Sequence, residues 1–134
     1  MPRYMLDTDI VSYAMKKTSP KVLHRLAQTA LTDICLSSIV LAELEFGVAA
    51  SVAPIPYRSR LDDFLRYVNV LDFPVEAARD YGTIRADLKI RGQIIGSNDL
   101  LIAAHARYLG LTLVTNNIRE YTRIPGLKLE NWAE

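Results

Sequence analysis

The sequence is short of cysteine, of histidine and of net charge, and each shortage removes a class of protein. Its lone cysteine, Cys35, cannot close an internal disulfide, which rules out a disulfide scaffold and suits a reducing compartment. Cys35 falls in "DICLSS", which reads as a buried strand, where inert packing is the ordinary role of a thiol. Sixteen Lys and Arg stand against fifteen Asp and Glu, a formal charge of +1. A nucleic-acid partner must therefore be met by a local basic patch, because the global charge supplies no steering. No apolar run reaches the ~18 residues of a membrane span. The stretch from Met1 to Asp9 is too short and too soon acidic for a signal peptide. These absences predict a cytoplasmic, soluble protein without a membrane partner. Repeats and low-complexity tracts are absent as well.

What is present is an ordinary globular balance, half hydrophobic and 23% charged, over 134 residues. That length predicts a single domain, residues 1–134, able to hide roughly two-thirds of its unfolded surface without a disulfide or structural metal. Short apolar runs alternate with longer amphipathic ones. "RYMLD", "DICLS", "NVLDF" and "LTLVT" read as strands, with "LKLEN" as a fifth. "PKVLHRLAQT" reads as a helix with Pro20 in its first turn, and "SIVLAELEFGVAA" as a helix capped by Ser37 or Ser38. "VAPIPY" breaks the pattern and predicts a loop over Val52 to Tyr57, before a helix in "RSRLDDFLRYV". Pro74 opens a long helix that Gly92 stops, and "NDLLIAAHARYLG" forms an apolar helix ended by Gly110. Continuous apolar strands separated by helices predict a three-layer α/β/α domain around a parallel sheet of four to five strands. Sites in such folds form outside the carboxyl ends of the strands.

Acidic residues gather at those places. Asp7 and Asp9 end the first strand, Glu43 lies among Val40, Leu41, Ala42 and Leu44, Asp99 opens the apolar helix, and Glu120 follows the fourth strand. Asp99 alone would serve the helix dipole, and Asp9 alone would serve as an N-cap. Glu43 resists such a reading, with apolar neighbours on both sides and Gly47 at i+4 leaving its face open to close approach. Glu45 points about 200° away and reads as solvated. Two carboxylates ~4 Å apart repel by about 4 kcal/mol at an effective dielectric of 20. Gathering several beside a buried sheet makes sense if a cation or protons join them. His24 lies in the "PKVLHRLAQT" helix, and His105 six residues past Asp99, off its face; both read as surface or packing residues rather than zinc ligands. An all-oxygen set suits Mg²⁺ or Mn²⁺ with phosphate filling the remaining positions, which points to phosphate-ester chemistry.

"MLDTDIVSY", "SSIVLAELEFG", "GSNDLLIAAHARYLGLTLVTNN" and "REYTRIPGLKLENW" together resemble the PIN-domain ribonuclease toxins of the VapC type, over nearly the whole chain. The resemblance implies a PIN-like α/β/α fold, Mg²⁺-dependent RNA endonuclease activity and neutralisation by a cognate antitoxin. It implies that Asp7, Glu43 and Asp99 form the acidic core, with Asp7 and Asp99 as metal ligands and Glu43 positioning water or metal. Many PIN domains carry Asp where this chain has Asn116. Glu120 supplies the fourth carboxylate in one branch of the toxins, a branch associated with cleaving tRNA, including initiator tRNA in the anticodon stem-loop. Whether Asn116 or Glu120 completes the site is open at this point.

Two rivals compete. "DTDIV" also matches the opening of haloacid-dehalogenase-type phosphatases, with Asp7 as nucleophile and Asp9 as acid. That reading lacks paired late carboxylates, a convincing lysine and room for a cap, and it leaves Glu43 without a role. A metal-free scaffold for protein binding is the other rival, but clustered like charges would then serve nothing. Around the acids, Thr8 and Thr115 read either as ligand-binding or as turn hydroxyls. Arg119, Arg85 and Lys89 are the candidate RNA-backbone contacts, Arg119 first, set against solvated faces or ion pairs. Tyr121 and Trp132 read as packing residues that have the alternative of stacking on bases. The helices around "IVLAELEFGVAA" and "YRSRLDDFLRYV" offer more apolar residues than one small sheet needs, which predicts a homodimer surface or an antitoxin groove.

Overall fold

A computed structural model describes residues 2–134; Met1 lies outside the described residues. Five short strands, β1 (Tyr4–Leu6), β2 (Ile34–Ser37), β3 (Asn69–Leu71), β4 (Thr112–Val114) and β5 (Lys128–Glu130), pair in parallel in the order β3-β2-β1-β4-β5. Consecutive residues of β2 are all buried, so both faces of the sheet are covered, as the unbroken apolar strands require. The flanking helices are α1 (Thr8–Lys16), α2 (Pro20–Ala27), α3 (Ser38–Ala50), α4 (Pro54–Leu65), α5 (Ala77–Ile90), α6 (Ser97–Leu109) and α7 (Ile118–Tyr121). The core takes Met5, Leu6, Ile34 and Leu36 from the strands and Ile10, Leu44, Leu61, Ile84 and Leu100 from the helices. Among the described residues no helix is long and apolar enough to cross a membrane.

Three readings of the sequence need correction. α1 starts at Thr8 and is capped by Asp7, not by Asp9, which stands inside its first turn. "VAPIPY" is not a loop throughout, since α4 starts at Pro54. Pro54 and Pro56 fall in the first turn, where the amides have no intrahelical partner to lose. The long helix starts at Ala77 rather than Pro74, after a turn in which Ala77 N–H reaches the Pro74 carbonyl at 3.0 Å. Elsewhere expectation and structure agree: Ser37 caps α3, and Gly92 and Gly110 stand at positive φ behind α5 and α6. His24 is exposed on α2 and His105 is fully buried. The space above Gly47 is taken by the Tyr57 ring, whose hydroxyl would lie 2.6 Å from a Cβ added there.

Candidate active site

The sheet grows from β1 toward β2 and β3, then resumes on the other side with β4. The crevice between β1 and β4 is thus the switch point of the topology. Asp7 stands in it. Its backbone N–H donates to the Val114 carbonyl at 2.8 Å, and its side chain, 5% exposed, accepts from the Thr8 amide at 2.9 Å and the Thr115 hydroxyl at 2.8 Å. Asp9, one position into α1, accepts from the Ile10 amide at 2.7 Å and the Asn116 amide at 3.1 Å. The helix cap is therefore Asp7, and Asp9 bridges α1 to the end of β4.

Glu43 reaches the same crevice from α3, where its Oε1 accepts from the Thr8 hydroxyl at 2.6 Å. Asp99, in the first turn of α6, accepts from the Tyr121 hydroxyl at 3.1 Å. These four acids, with Thr8, Ser12 and Asn117, line one open cavity of about 390 Å³. A larger cavity, about 760 Å³, lies at the other end of α1 among Met15, Lys16, Lys17, Arg60, Asp63 and Phe64. Size does not decide between them; only the first gathers several titratable acids at strand ends.

The electrostatics are those of anions crowded together. Burial pushes Asp7 up to about 7, and the neighbouring charge of Asp9 adds to it, against the opposing Thr115 and Thr8 hydrogen bonds. Burial also raises Asp9 and Asp99, Asp9 further through the charge of Asp99, and Asp99 further through Glu43 and Glu120. Tyr121 is raised by its own burial and by Asp7 and Asp99, so it stays a hydrogen-bond donor. Among the described residues no three of these groups close round a point tightly enough to hold a cation with protein atoms alone. The donor set still fits a hard cation that keeps several waters: it is all oxygen, anionic and, among the described residues, without a basic partner for any of the four acids.

The remaining candidates separate. Thr8 and Thr115 hold Glu43 and Asp7 rather than turns alone. Asn116 reaches Asp9 through its backbone; its side chain turns out to Tyr13 and Asn131. Glu120 stands behind Asn117, whose amide donates to it at 3.1 Å, and does not line the cavity. Arg119 is exposed nearby on α7, whereas Arg85 bonds the Tyr81 hydroxyl on α5 and Lys89 lies exposed on the same helix. None of the three lines the acidic cavity. Sequence reasoning missed Ser12, Asn117 and the role of Tyr121. Ser12 is i+4 from Thr8 and was legible once α1 was recognised. Asn117 and Tyr121 carry no local signal.

A PIN-domain family model matches residues 4–127. The chain is 48% identical over 130 residues to Ribonuclease VapC2 of Rickettsia felis, covering 96% of this chain and 97% of that one. It is 38% identical over 133 residues to the tRNA(fMet)-specific endonuclease VapC of Salmonella typhimurium, covering 99% of this chain and all of the other. The solved VapBC2 of Rickettsia felis bound to a promoter DNA fragment superposes with a TM-score of 0.90 at 46% identity, over 96% of this chain and 98% of its counterpart.

Proposed function

This chain belongs to the PIN-domain family and, within it, to the VapC ribonucleases of toxin–antitoxin systems, and from that premise we propose that it is a Mg²⁺- or Mn²⁺-dependent endoribonuclease that cleaves tRNA in the cytoplasm. The observation that carries the reading is the single cavity where Asp7, Asp9, Glu43 and Asp99 converge at the β1/β4 crevice without a basic partner. Support for tRNA, and for initiator tRNA in particular, comes from the name of the Salmonella relative.

In this reading Asp7 and Asp99 hold the cation. When bound there, the ion would supply Lewis acidity that favours attack of water on a phosphodiester. Thr115 and Tyr121 hold the two carboxylates in orientation by donating to one oxygen of each. Glu43 has one oxygen engaged by Thr8, which leaves the other to accept a hydrogen bond from the attacking water and orient it for in-line attack, with the 5′-phosphate left on one product. Glu120 tunes this arrangement from behind, through its charge on Asp99 and its bond to Asn117. Arg119, exposed on the short helix that carries Glu120, is the candidate backbone-phosphate contact. The partner in the resting state is a cognate antitoxin, and the chain pairs with itself. Exposed Phe46 (73%) on α3 and Ile55 (82%) on α4 supply apolar surface for such contacts. The phosphatase alternative has no support, because Glu43, idle in that chemistry, lines the cavity with Asp7.

The test is cleavage of total cellular RNA by the purified protein with Mg²⁺ or EDTA, beside Asp7→Asn and Glu43→Gln. A discrete tRNA fragment that requires the metal and vanishes in both variants is the expected result. Turnover of p-nitrophenyl phosphate without RNA cleavage would overturn the reading in favour of a phosphatase, and inactivity on both in favour of a binding scaffold.

A further inference from the structure

His105 is fully buried in α6, with Nδ1 2.9 Å from Ser37 Oγ and its ring edge-on to Phe73 at 5.5 Å. Its Nε2 is buried without a partner. Ser37, equally buried, ends β2 and caps α3, where its Oγ accepts the Ile39 amide at 3.1 Å. The pair can form in either sense, with Ser37 donating to Nδ1 or with Nδ1–H donating to the second lone pair of Ser37 Oγ. When Ser37 donates, the ring proton sits on Nε2, the atom left without a partner among the described residues. Burial also holds the ring neutral by lowering its affinity for a second proton. A leucine or phenylalanine would fill this volume without stranding a donor. What the histidine supplies, and they do not, is a hydrogen-bond partner for Ser37.

The position of that bond connects it to the site. Glu43 lies six residues beyond Ser37, and Asp99 lies six residues before His105. Glu43 and Asp99 line the same cavity, and the charge of Glu43 raises Asp99. Ser37, the N-cap of α3, and His105 in α6 thus tie together two packed helices, and six residues of helix, ~9 Å, lie between each end of the bond and its carboxylate. At one end of this pair stand two like charges that push the helices apart. At the other is a buried, directional hydrogen bond, reinforced where Ser38 Oγ takes the Phe73 amide at 3.0 Å.

We propose that Ser37 donates to His105 Nδ1, that this hydrogen bond sets the register of α3 against α6, and that His105 is a positioning residue that holds Glu43 and Asp99 at their working separation. The inference rests on the ribonuclease reading of the cavity. Its test uses the full chain with His105→Phe, Ser37→Ala, the double variant and His105→Asn, whose Oδ1 replaces Nδ1 as acceptor. Ring ¹⁵N shifts in the wild type place the proton on Nε2. His105→Phe and Ser37→Ala each lower kcat for RNA roughly ten- to hundred-fold with KM unchanged, the scale of a small misplacement in a preorganised site. The double variant is no worse than either single change, and His105→Asn recovers most of the loss. The Mg²⁺ concentration that gives half of the metal-induced rise in Tm increases in His105→Phe. Val22→Ala, a core change in α2, lowers Tm and leaves kcat alone. A proton found on Nδ1, a wild-type kcat and Mg²⁺ response in His105→Phe, or kcat losses that track Tm through Val22→Ala as well, would each overturn the inference. A wild-type chain that neither cleaves RNA nor responds to Mg²⁺ overturns the ribonuclease reading beneath it instead.

Discussion

The acids at the β1/β4 crevice and the acids on the rest of the surface live by different rules. Asp80 is paired with Arg107, Asp87 with Arg91, Glu45 with Arg58, Glu130 with Arg25, Asp63 with Arg66 and Asp62 again with Arg58. Asp7, Asp9, Glu43 and Asp99 have no arginine or lysine among the described residues; they are held by hydroxyls and backbone amides. A guanidinium would neutralise a carboxylate as well as orient it. Neutral donors orient it and leave the charge. The paired outer acids brace single helices or, like Asp80 and Glu130, join separate elements, whereas the inner acids keep a negative potential that folding alone does not require.

Exchanging charge for neutrality in each region should separate the two roles, and the largest effect belongs to the inner one. Asp7→Asn should lower RNA cleavage by roughly 10²–10³, the scale for loss of one preorganised electrostatic group. Asp80→Asn should leave cleavage within about two-fold, since an ion pair of this kind contributes about 1 kcal/mol to stability and nothing to the site.

Metal-free stability gives the opposite sign. Asp7 titrates near 7 in the folded chain against an unperturbed 3.8, so the folded state binds that proton more tightly. Its contribution is full below about pH 3.8 and is lost as pH rises through about 7. In EDTA the wild-type Tm should therefore fall across this window relative to that of Asp7→Asn. The difference is at most about 4 kcal/mol, shared among coupled acids. A wild type that instead gains stability relative to the variant as pH rises would mean the inner acids are compensated after all.

Thr115→Val sharpens the comparison by removing a neutral donor while keeping shape. The Thr115 bond favours the ionised form of Asp7, so its loss should raise the Asp7 pKa further and move the cleavage profile to higher pH. Activity should drop about ten-fold, the order expected for a lost bond to a charged group. The smallest effect is expected at Arg107→Ala, which frees Asp80 on the outer surface. A fall in Tm of a few degrees with unchanged kcat would fit a loss of about 1 kcal/mol.

Much of this could be read along the chain. The alternation of apolar and amphipathic runs predicted a parallel α/β sheet, and Ser37 and Gly110 marked their helix ends through chemistry that acts over a few residues. The same local logic misread "VAPIPY", because prolines that break a helix interior are harmless in its first turn. It also offered Asp9 as a helix N-cap where Asp7, the last residue of "LD", is the cap.

By itself, the sequence determined which segments become strands and helices and which carboxylates end up beside a strand end, since burial periodicity and capping are properties of neighbours. Tertiary structure alone decided which side chain beyond β4 enters the cavity (Asn117, with Asn116 turned outward) and that Tyr121 serves Asp99. It also brought together Thr115 and Asp7, 108 residues apart, and Ser37 and His105, 68 residues apart. The direction of a side chain in a turn and the partner it meets across the sheet depend on how whole elements pack, and no local pattern of residues encodes that.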